Sequence, residues 1–286
     1  MKSKKKWFLS LIALILFILI GWTLWANTAL EVNEYEIVND RIPQCFDGFR
    51  IAQISDLHNA EFGERNEKLI QLLSQTDPDI IVITGDLIDS RQTDIEIALE
   101  FAWQAGKIAR VYYVSGNHEA RVPEYEDLKT GLVKAGVVIL ENQKVQITRE
   151  GESITLMGID DPSFQEYYLF GDSESVARQA IEDLKNESDG YTVLLSHRPE
   201  LFDLYVDTGM DLVFSGHAHG GQFRLPFIGG LVAPNQGFFP EYDAGQFTEE
   251  NTTMIVSRGI GNSIIPIRIN NRPEIVLGEL KVSTDE

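Results

Sequence analysis

Residues 212–223 read LVFSGHAHGGQF, an apolar run of strand length that ends in two histidines set among glycines. Residues i and i+2 of a β-strand point to the same face, so the rings of His217 and His219 are expected to aim at one point. The glycines let the backbone turn sharply and approach closely there. An isolated His-x-His is more often an incidental strand end than a metal site, so the other histidines must decide between the two.

Four other apolar runs also end in polar clusters. FRIAQIS precedes Asp56 and His58, DIIVITG precedes Asp86, VYYVSG precedes Asn117, His118 and Glu119, and YTVLLS precedes His197 and Arg198. All five histidines of the chain lie in these clusters. Taken singly, an aspartate here could cap a helix and Asn117 could be a turn residue. Functional groups gather at the carboxyl ends of strands in open α/β sheets, so we expect the clusters to converge.

The apolar runs alternate with stretches of helical periodicity at 64–75, 94–107, 124–135 and 173–185. This alternation predicts an α/β fold with a largely buried sheet. We expect a tether and a first edge strand in residues 27–47 and one catalytic domain in residues 48–286, because no repeat or linker follows. Residues 223–247 contain no clear element, and a loop of this length is more often functional than idle.

The N-terminus has a different composition. Residues 1–6 are basic and residues 7–26, WFLSLIALILFILIGWTLWA, carry no charge. Twenty helical residues span about 30 Å, the hydrocarbon thickness of a bilayer, and tryptophans lie near both ends. These features predict a transmembrane signal anchor; the alternative is a cleaved signal peptide, whose apolar core is usually shorter. The preceding lysines predict a single-pass protein of the cell membrane with a cytoplasmic N-terminus and an extracytoplasmic catalytic domain.

The chain is strongly acidic, with 44 Asp and Glu against 24 Lys and Arg and a net charge of −20. This charge disfavours binding to the phosphate backbone of nucleic acids. An anionic substrate must therefore be held by local cations, such as metal ions or a few arginines. The single Cys45 excludes an internal disulfide and a cysteine-based zinc site. The sequence does not set the oligomeric state.

The clusters together offer imidazole, carboxylate and amide ligands but no thiolate. Such a set suits Mn²⁺, Zn²⁺ or iron. Four histidines, two aspartates and one asparagine are too many for one tetrahedral ion and are about right for two ions that share a bridging carboxylate. These seven candidates are Asp56, His58, Asp86, Asn117, His197, His217 and His219.

The motifs SDLH, TGDLID, SGNHE, LSHRP and SGHAHGGQ, in this order after strands, resemble those of the calcineurin-like metallophosphoesterase superfamily. The resemblance covers residues 48 to about 280. The stretches LPFIGGLVAP and SRGIGNSIIPIRINNRPEIVLGEL are similar to the membrane-anchored, YkuE-like bacterial branch. The resemblance implies a β-sandwich of two mixed sheets flanked by helices. Relatives of this general type include enzymes that cleave the pyrophosphate of UDP-diacylglucosamine.

The resemblance also implies roles for the candidate ligands. One ion would be held by Asp56, His58 and His219, and the second by Asn117, His197 and His217, with Asp86 bridging the two. His118 would be a catalytic residue beside the phosphate and not a ligand.

Two such ions lower the pKa of a shared water and clamp a phosphoryl group for in-line attack by a bridging hydroxide. His118 would stabilise the equatorial oxygens or protonate the leaving oxygen. Further candidates for substrate binding or support of the site follow from neighbouring positions. Glu119 could orient His118 or be a surface carboxylate, and Asp89 could support the site or cap a helix. Arg198 and Arg268 could contact phosphate or form salt bridges. Gln222 could hold substrate.

The substrate is less constrained than the reaction. An anchor at the bilayer, with aromatic residues in 160–172 and 223–247, favours a lipid-linked or cell-envelope phosphodiester or pyrophosphate. The same aromatics could merely cover the core. Nucleotide phosphodiesters or phosphomonoesters are the alternative substrates, and a non-catalytic, metal-stabilised binding module is a weaker alternative because every motif is intact.

Overall fold

The computed structural model describes residues 2–165, 173–185 and 190–283. The helices in these ranges are α1 (Lys2–Ala26), α2 (Glu67–Gln75), α3 (Ile95–Ala105), α4 (Tyr125–Lys134), α5 (Ser173–Lys185) and α6 (Phe202–Asp207). Four of them match the predicted helices to within three residues at either end. The short α6 was not predicted, and it follows a 3-10 turn that begins at Pro199.

The first sheet has six strands in the spatial order β1 (Glu31–Asn39), β16 (Glu274–Val282), β2 (Arg50–Ile54), β3 (Ile80–Thr84), β4 (Arg110–Val114) and β5 (Val138–Ile139). Strands β2 to β5 are parallel, and β16 is antiparallel to β2. The outer strand β1 pairs in parallel with β16 along all nine residues. Residues 31–39 therefore form the outer strand of this sheet.

The second sheet has the order β14 (Gly245–Glu249), β15 (Thr252–Val256), β9 (Leu212–Ser215), β8 (Thr192–Leu195), β7 (Glu152–Gly158) and β6 (Gln143–Arg149). Its central strands β15, β9, β8 and β7 are parallel, and the two outer pairs are antiparallel. Most of the segment without a predicted element forms two short hairpins, β10 (Arg224–Leu225) with β11 (Gly229–Gly230) and β12 (Val232–Ala233) with β13 (Gly237–Phe238).

The two sheets pack face to face around one apolar layer. Ile51, Val82 and Val114 of the first sheet and Val193 and Phe214 of the second belong to this layer. A second apolar cluster lies between the first sheet and α2 to α4, and a third lies between the second sheet and α5 and α6. The predicted α/β fold of two mixed sheets flanked by helices is confirmed. Because both faces of each sheet are covered, the central strands read as continuous apolar runs.

The N-terminal helix α1 is, by length and composition, able to cross a membrane, and none of its apolar stretch is buried against the domain. Its end is joined to the domain by hydrogen bonds. Asn27 Nδ2 donates to the Arg268 carbonyl at 2.8 Å, and the Arg268 N–H donates to Asn27 Oδ1 at 2.7 Å. The Arg272 guanidinium lies 5.2 Å from the Trp25 ring and donates to the Ala29 carbonyl. The helix therefore leaves the domain from a fixed position.

Candidate metal centre

The five polar clusters converge, as the sequence predicted, at the carboxyl ends of β2, β3, β4, β8 and β9. The first three strands belong to one sheet and the last two to the other, so the site lies where the two sheets meet. All seven candidate ligands are buried there, together with His118. The residues are Asp56, His58, Asp86, Asn117, His197, His217 and His219.

The first group of donor atoms comes from Asp56, His58 and His219. Asp56 Oδ1 lies 3.3 Å from His219 Nε2 and 3.8 Å from His58 Nε2, and the two Nε2 atoms are 3.1 Å apart. Burial alone would raise the pKa of Asp56, but His219 and the bond with His58 outweigh it and lower this pKa to about 2. The carboxylate is therefore ionised, and an ion with two nitrogen ligands and one oxygen ligand fits this group.

The second group comes from Asp86, His197 and His217. Asp86 Oδ2 lies 3.3 Å from His197 Nε2, which is 3.1 Å from His217 Nδ1. The Thr84 carbonyl lies 2.7 Å from His197 Nδ1 and holds a proton on that nitrogen, so the Nε2 lone pair faces the carboxylate. Burial would lower the pKa of His197, but Asp86 raises it to about 10, so the position between these two atoms attracts a cation, which is a proton when no metal ion is bound. The geometry therefore fits a metal ion.

Asp86 lies between the two groups and, with His58 and His118, forms a third set of close donor atoms. Its Oδ2 also lies 3.6 Å from His58 Nε2, while its Oδ1 accepts the backbone N–H of His118 at 2.8 Å. Burial would raise the pKa of Asp86, but His197 and the other nearby histidines outweigh it and lower the pKa well below its ordinary value. A permanently ionised carboxylate between two donor groups is the arrangement that lets two cations lie close together.

One buried polar atom adds to this fit. Within the described residues, Asn117 Oδ1 has no hydrogen-bond partner. An unpaired buried oxygen costs about 1–3 kcal/mol, so it calls for a partner. The amide oxygen of Asn117 is a hard ligand that a divalent cation would satisfy.

The loops that carry the ligands are strained. Asp56, His58, Asp86, His217 and His219 all have φ between 44° and 66°, a region that non-glycine residues rarely adopt. Each such residue costs about 1–3 kcal/mol and persists only where the surroundings enforce it. The loops are also tightly packed, because a Cβ on Gly116 would collide with Asp86 and one on Gly216 with Ser55 and Asp56.

The prediction that the rings of His217 and His219 aim at one point was wrong. Strand β9 ends at Ser215, so neither histidine lies on a strand, and the left-handed backbone at both turns their rings apart. His217 Nδ1 faces His197, whereas His219 Nε2 faces Asp56 and His58. The two histidines therefore belong to different donor groups.

His118 lies beside the first group, with its ring centroid 4.5 Å from that of His58. The backbone N–H of Ser90 donates to His118 Nδ1 at 2.9 Å, so the proton of the neutral ring lies on Nε2. Burial lowers the pKa of His118 to about 4, although Asp86 acts in the opposite direction. The ring is thus neutral at pH 7 and offers one N–H donor at Nε2, which is 3.4 Å from Ser263 Oγ.

Glu119 is fully buried, so its interpretation as a surface carboxylate was wrong. Its Oε2 accepts the N–H groups of Asp86 and Gly116, and its Oε1 accepts the N–H of Leu87. Burial and the charge of Asp86 raise the pKa of Glu119 to about 7. The side chain ties the loop after β3 to the loop after β4 and thereby supports Asp86.

The two arginines proposed for phosphate binding are both buried. Arg198 Nε and Nη2 donate to Asp161 at 2.5 and 2.9 Å, and Nη1 lies 3.2 Å from His217 Nε2. Arg268 donates to Asn262 Oδ1 at 3.0 Å and to the Arg258 and Gly261 carbonyls, and its Nη2 lies 3.4 Å from His219 Nδ1. For Arg198 the alternative salt-bridge interpretation agrees with the structure.

The remaining candidates hold loops. Gln222 Nε2 donates to the carbonyls of Ile265 and Ile267 at 2.7 and 2.8 Å, and so braces the segment beside the site. Asp89 accepts from the backbone and guanidinium of Arg91 and lies 4.0 Å from His118 Nδ1. Of the predicted aromatic loop 160–172, residues 166–172 lie outside the described residues.

A cavity of about 510 Å³ opens beside His58. Its lining residues are His58, Asn59, Asp89, Arg91, Gln92, Asn262, Ser263, Ile264 and Pro266. Arg91 is the residue here that the sequence argument missed, and its side chain is 47% exposed. The position of Arg91 directly after the GDLIDS motif could have identified it as a residue of the site.

Residues 49–221 match the family described as Calcineurin-like phosphoesterase. The chain belongs to this family. Calcineurin-like phosphoesterases are metal-dependent hydrolases, and the buried histidines and aspartates form the residue set of a dimetal site.

Similar calcineurin-like phosphoesterases occur in bacteria and animals. The Uncharacterized metallophosphoesterase YkuE of Bacillus subtilis is 29% identical over 88% of this chain and 86% of the relative. The Uncharacterized metallophosphoesterase Cj0846 of Campylobacter jejuni is 32% identical over 96% of this chain and 69% of the relative. The Transmembrane protein with metallophosphoesterase domain of Danio rerio is 30% identical over 86% of this chain and 56% of the relative. The first of these supports the predicted YkuE-like resemblance.

The fold is also similar to that of solved structures. The protein TT1561 of Thermus thermophilus has a TM-score of 0.51 and 15% identity, and the alignment covers 74% of this chain and 90% of that one. At this identity the likeness concerns the fold alone.

Proposed function

We propose that this calcineurin-like phosphoesterase is a membrane-anchored, dinuclear phosphodiesterase or pyrophosphatase that hydrolyses a lipid-linked or cell-envelope phosphate ester. The observation that carries the proposal is the position of Asp86 between two groups of metal donors, beside a cavity that shares Asn262 with a second cavity at the end of the N-terminal helix. The basic residues before the helix support a cytoplasmic N-terminus and an extracytoplasmic domain.

The donor atoms support a specific division of ligands. Asp56 Oδ1, His58 Nε2 and His219 Nε2 would hold the first ion, while His197 Nε2, His217 Nδ1 and the Asn117 amide oxygen would hold the second, with Asp86 Oδ2 shared. When bound, two divalent ions supply a Lewis acid for the phosphoryl oxygens and an activated water nucleophile. The protein fixes the ligand geometry through strained loops that Glu119 braces.

His118 would bind the substrate phosphoryl group as a neutral hydrogen-bond donor. Because its Nδ1 accepts the Ser90 N–H, a second proton on the ring would face that donor, and burial already disfavours the charged form. The Nε2–H is thus suited to an equatorial oxygen that gains charge in the transition state. A neutral Nε2–H donor therefore favours stabilisation of the equatorial oxygens over protonation of the leaving group.

The position of the helix end supports a substrate in the membrane. Asn262 lines the cavity beside His58 and also a neighbouring cavity that Asn27 and Thr28 line at the end of α1. The loop that contains Asn262 therefore borders both the site and the end of α1, where the chain would enter the bilayer.

The test uses the full chain in detergent, stripped of metal and supplied in turn with Mn²⁺, Zn²⁺, Fe²⁺ or Mg²⁺. The substrates are bis-p-nitrophenyl phosphate, p-nitrophenyl phosphate, a diacyl lipid with a pyrophosphate linkage and a nucleoside phosphodiester. We expect metal-dependent hydrolysis of the diester and preference for the lipid, with Asp86→Asn losing at least about 10²-fold in kcat.

The matched control is Asp94→Asn, which removes an exposed carboxylate at the start of α3 and should keep full activity. Preference for the monoester or the nucleoside substrate would establish one of the alternative activities. Metal binding without any turnover would point to the binding module.

A further inference from the structure

Exposed apolar side chains occur on the loop after β15, which lines the cavity, and on the two short hairpins bonded to that loop. We call six of them the apolar rim: Phe227, Ile228, Phe238, Phe239, Ile264 and Ile269. Each is between 47% and 108% exposed. Isolated exposed apolar residues are normal, but a group of large ones beside a functional cavity indicates an interaction surface.

The rim residues lie on segments that are bonded to one another. The Arg224 N–H donates to the Ile269 carbonyl at 2.9 Å, which joins the first hairpin to the loop after β15. The Phe239 N–H donates to the Leu231 carbonyl, and the Leu231 N–H donates to the Phe223 carbonyl at 2.8 Å, which joins the second hairpin to the first. The segments that carry the rim are thus bonded to one another, and Ile264 also lines the cavity.

The rim is held next to the end of the membrane helix. Asn27, the first residue after α1, exchanges two hydrogen bonds with the backbone of Arg268, and the next residue is Ile269 of the rim. Consecutive Cα atoms are about 3.8 Å apart, so Ile269 cannot lie far from the end of the apolar helix. The exposed Trp22 and Trp25 mark that end as the level of a membrane interface.

The charge distribution agrees with an interface. Residues 218–240 and 258–273, which carry the rim, contain no Asp or Glu, although 44 of the 286 residues are acidic. An acidic surface would be repelled by the anionic lipids of a membrane. Two acidic residues line a cavity together with Phe227 and Ile228: Asp243 is buried and paired with Arg224, and Glu241 is exposed.

We propose that the apolar rim lies against the same bilayer that holds α1, so that the cavity beside His58 opens at the membrane surface. This inference rests on the proposed anchor and deepens the proposed function: the substrate would be a phosphate ester whose lipid chains stay in the bilayer while its headgroup enters the cavity. The occupant of the rim is the lipid surface itself.

The test measures the surroundings of nitroxide labels on the full chain in vesicles of phosphatidylethanolamine and phosphatidylglycerol. In a Cys45→Ser background, single cysteines replace Phe227, Phe238 or Ile269 of the rim and Phe17 of the helix. The matched controls are Trp103→Cys and Val133→Cys, which replace exposed apolar residues near the C-terminal ends of α3 and α4. These helices run back from the carboxyl ends of the strands, so their ends lie at the opposite edge of the sheet.

We expect the rim labels to be accessible to oxygen and shielded from a water-soluble nickel reagent, as the Phe17 label should be, while both controls remain accessible to nickel. Rim labels accessible to nickel would show an aqueous surface and overturn the proposal. Rim labels shielded from both reagents would show a protein contact and overturn it equally.

A functional comparison separates this inference from the proposed function. The double variant Phe227→Ser/Ile228→Ser should lose at least about 10-fold in activity on a lipid phosphodiester in vesicles and keep its activity on bis-p-nitrophenyl phosphate. Equal activity on the vesicle substrate would overturn the rim proposal alone. A Phe17 label in water, or a wild-type chain without diesterase activity, would instead overturn the proposed function.

Discussion

At the scale of single residues, the hydrogen bond on one ring nitrogen decides what the other nitrogen can do. The Thr84 carbonyl fixes the proton of His197 on Nδ1 and leaves Nε2 as a metal donor. The Ser90 N–H does the reverse at His118, which leaves Nε2 as a hydrogen-bond donor. A metal ligand at His118 Nε2 would require a ring without any proton. Two histidines of the same site thus have opposite roles.

The role of His118 can be tested with a series of diaryl phosphodiesters whose leaving phenols range from acidic to weakly acidic. We expect His118→Ala to lower kcat about 10²-fold by a similar factor for every leaving group, because the lost donor contacts an equatorial oxygen. His118→Gln, which keeps an N–H donor, should recover part of the loss. A deficit that grows steadily with the pKa of the leaving phenol would instead identify His118 as a general acid.

At the scale of elements, short polar contacts join the ends of strands from both sheets. Asp160, which follows β7, accepts hydrogen bonds from Ser115 after β4 and from Asn142 before β6. Burial, together with the charge of Glu141, raises the pKa of Asp160 to about 7. The carboxyl group is therefore protonated in the folded chain at a pH where it is ionised in the unfolded chain.

The raised pKa of Asp160 predicts a pH dependence of stability. Between about pH 4 and 7 the folded state binds this proton and the unfolded state does not, so the free energy of unfolding falls as the pH rises and levels off above 7. We expect Asp160→Asn to remove about 1–2 kcal/mol of the stability loss between pH 5 and 8, a value reduced because the side chain is partly exposed. Urea unfolding in detergent at both pH values measures it, with Asp94→Asn as the control. Parallel pH curves for wild type and Asp160→Asn would contradict the expectation.

At the scale of the whole molecule, the metal centre lies between the two halves of the sandwich. The loop after β2 supplies Asp56 and His58, and the loop after β9 in the other sheet supplies His217 and His219. Metal ions in this position would hold the two sheets together at one edge. They would also neutralise the buried carboxylates of Asp56 and Asp86, which are ionised in the fold.

Metal removal is therefore expected to destabilise the whole domain. An ion at 100 times its Kd stabilises the folded state by about 2.7 kcal/mol, which corresponds to roughly 5–10 °C in Tm for a chain of this size. We expect EDTA to lower Tm by at least this amount and Mn²⁺ or Zn²⁺ to restore it. The Asp86→Asn variant should show a much smaller response. A Tm that is insensitive to EDTA in wild type would contradict a bound dinuclear centre.

The sequence by itself determined the fold class, the positions of most helices and strands, and the set of residues that meet at the site. Buried strands of a sheet that is covered on both faces appear in the sequence as uninterrupted apolar runs. Polar residues directly after such runs lie at the carboxyl ends of the strands, which share one edge of the sheet. The five strand-end motifs of the chain therefore carried the family resemblance and the seven candidate ligands.

Only the tertiary structure decided the orientation of those residues. The left-handed backbone at His217 and His219 separates two rings that strand spacing would aim together, and the burial of Glu119 depends on N–H groups more than thirty residues away in the chain. The ion pair of Arg198 with Asp161 and the bonds of Asn27 with Arg268 likewise join distant segments. Local composition and periodicity contain no signal for such contacts, because they arise from packing between segments that are remote in sequence.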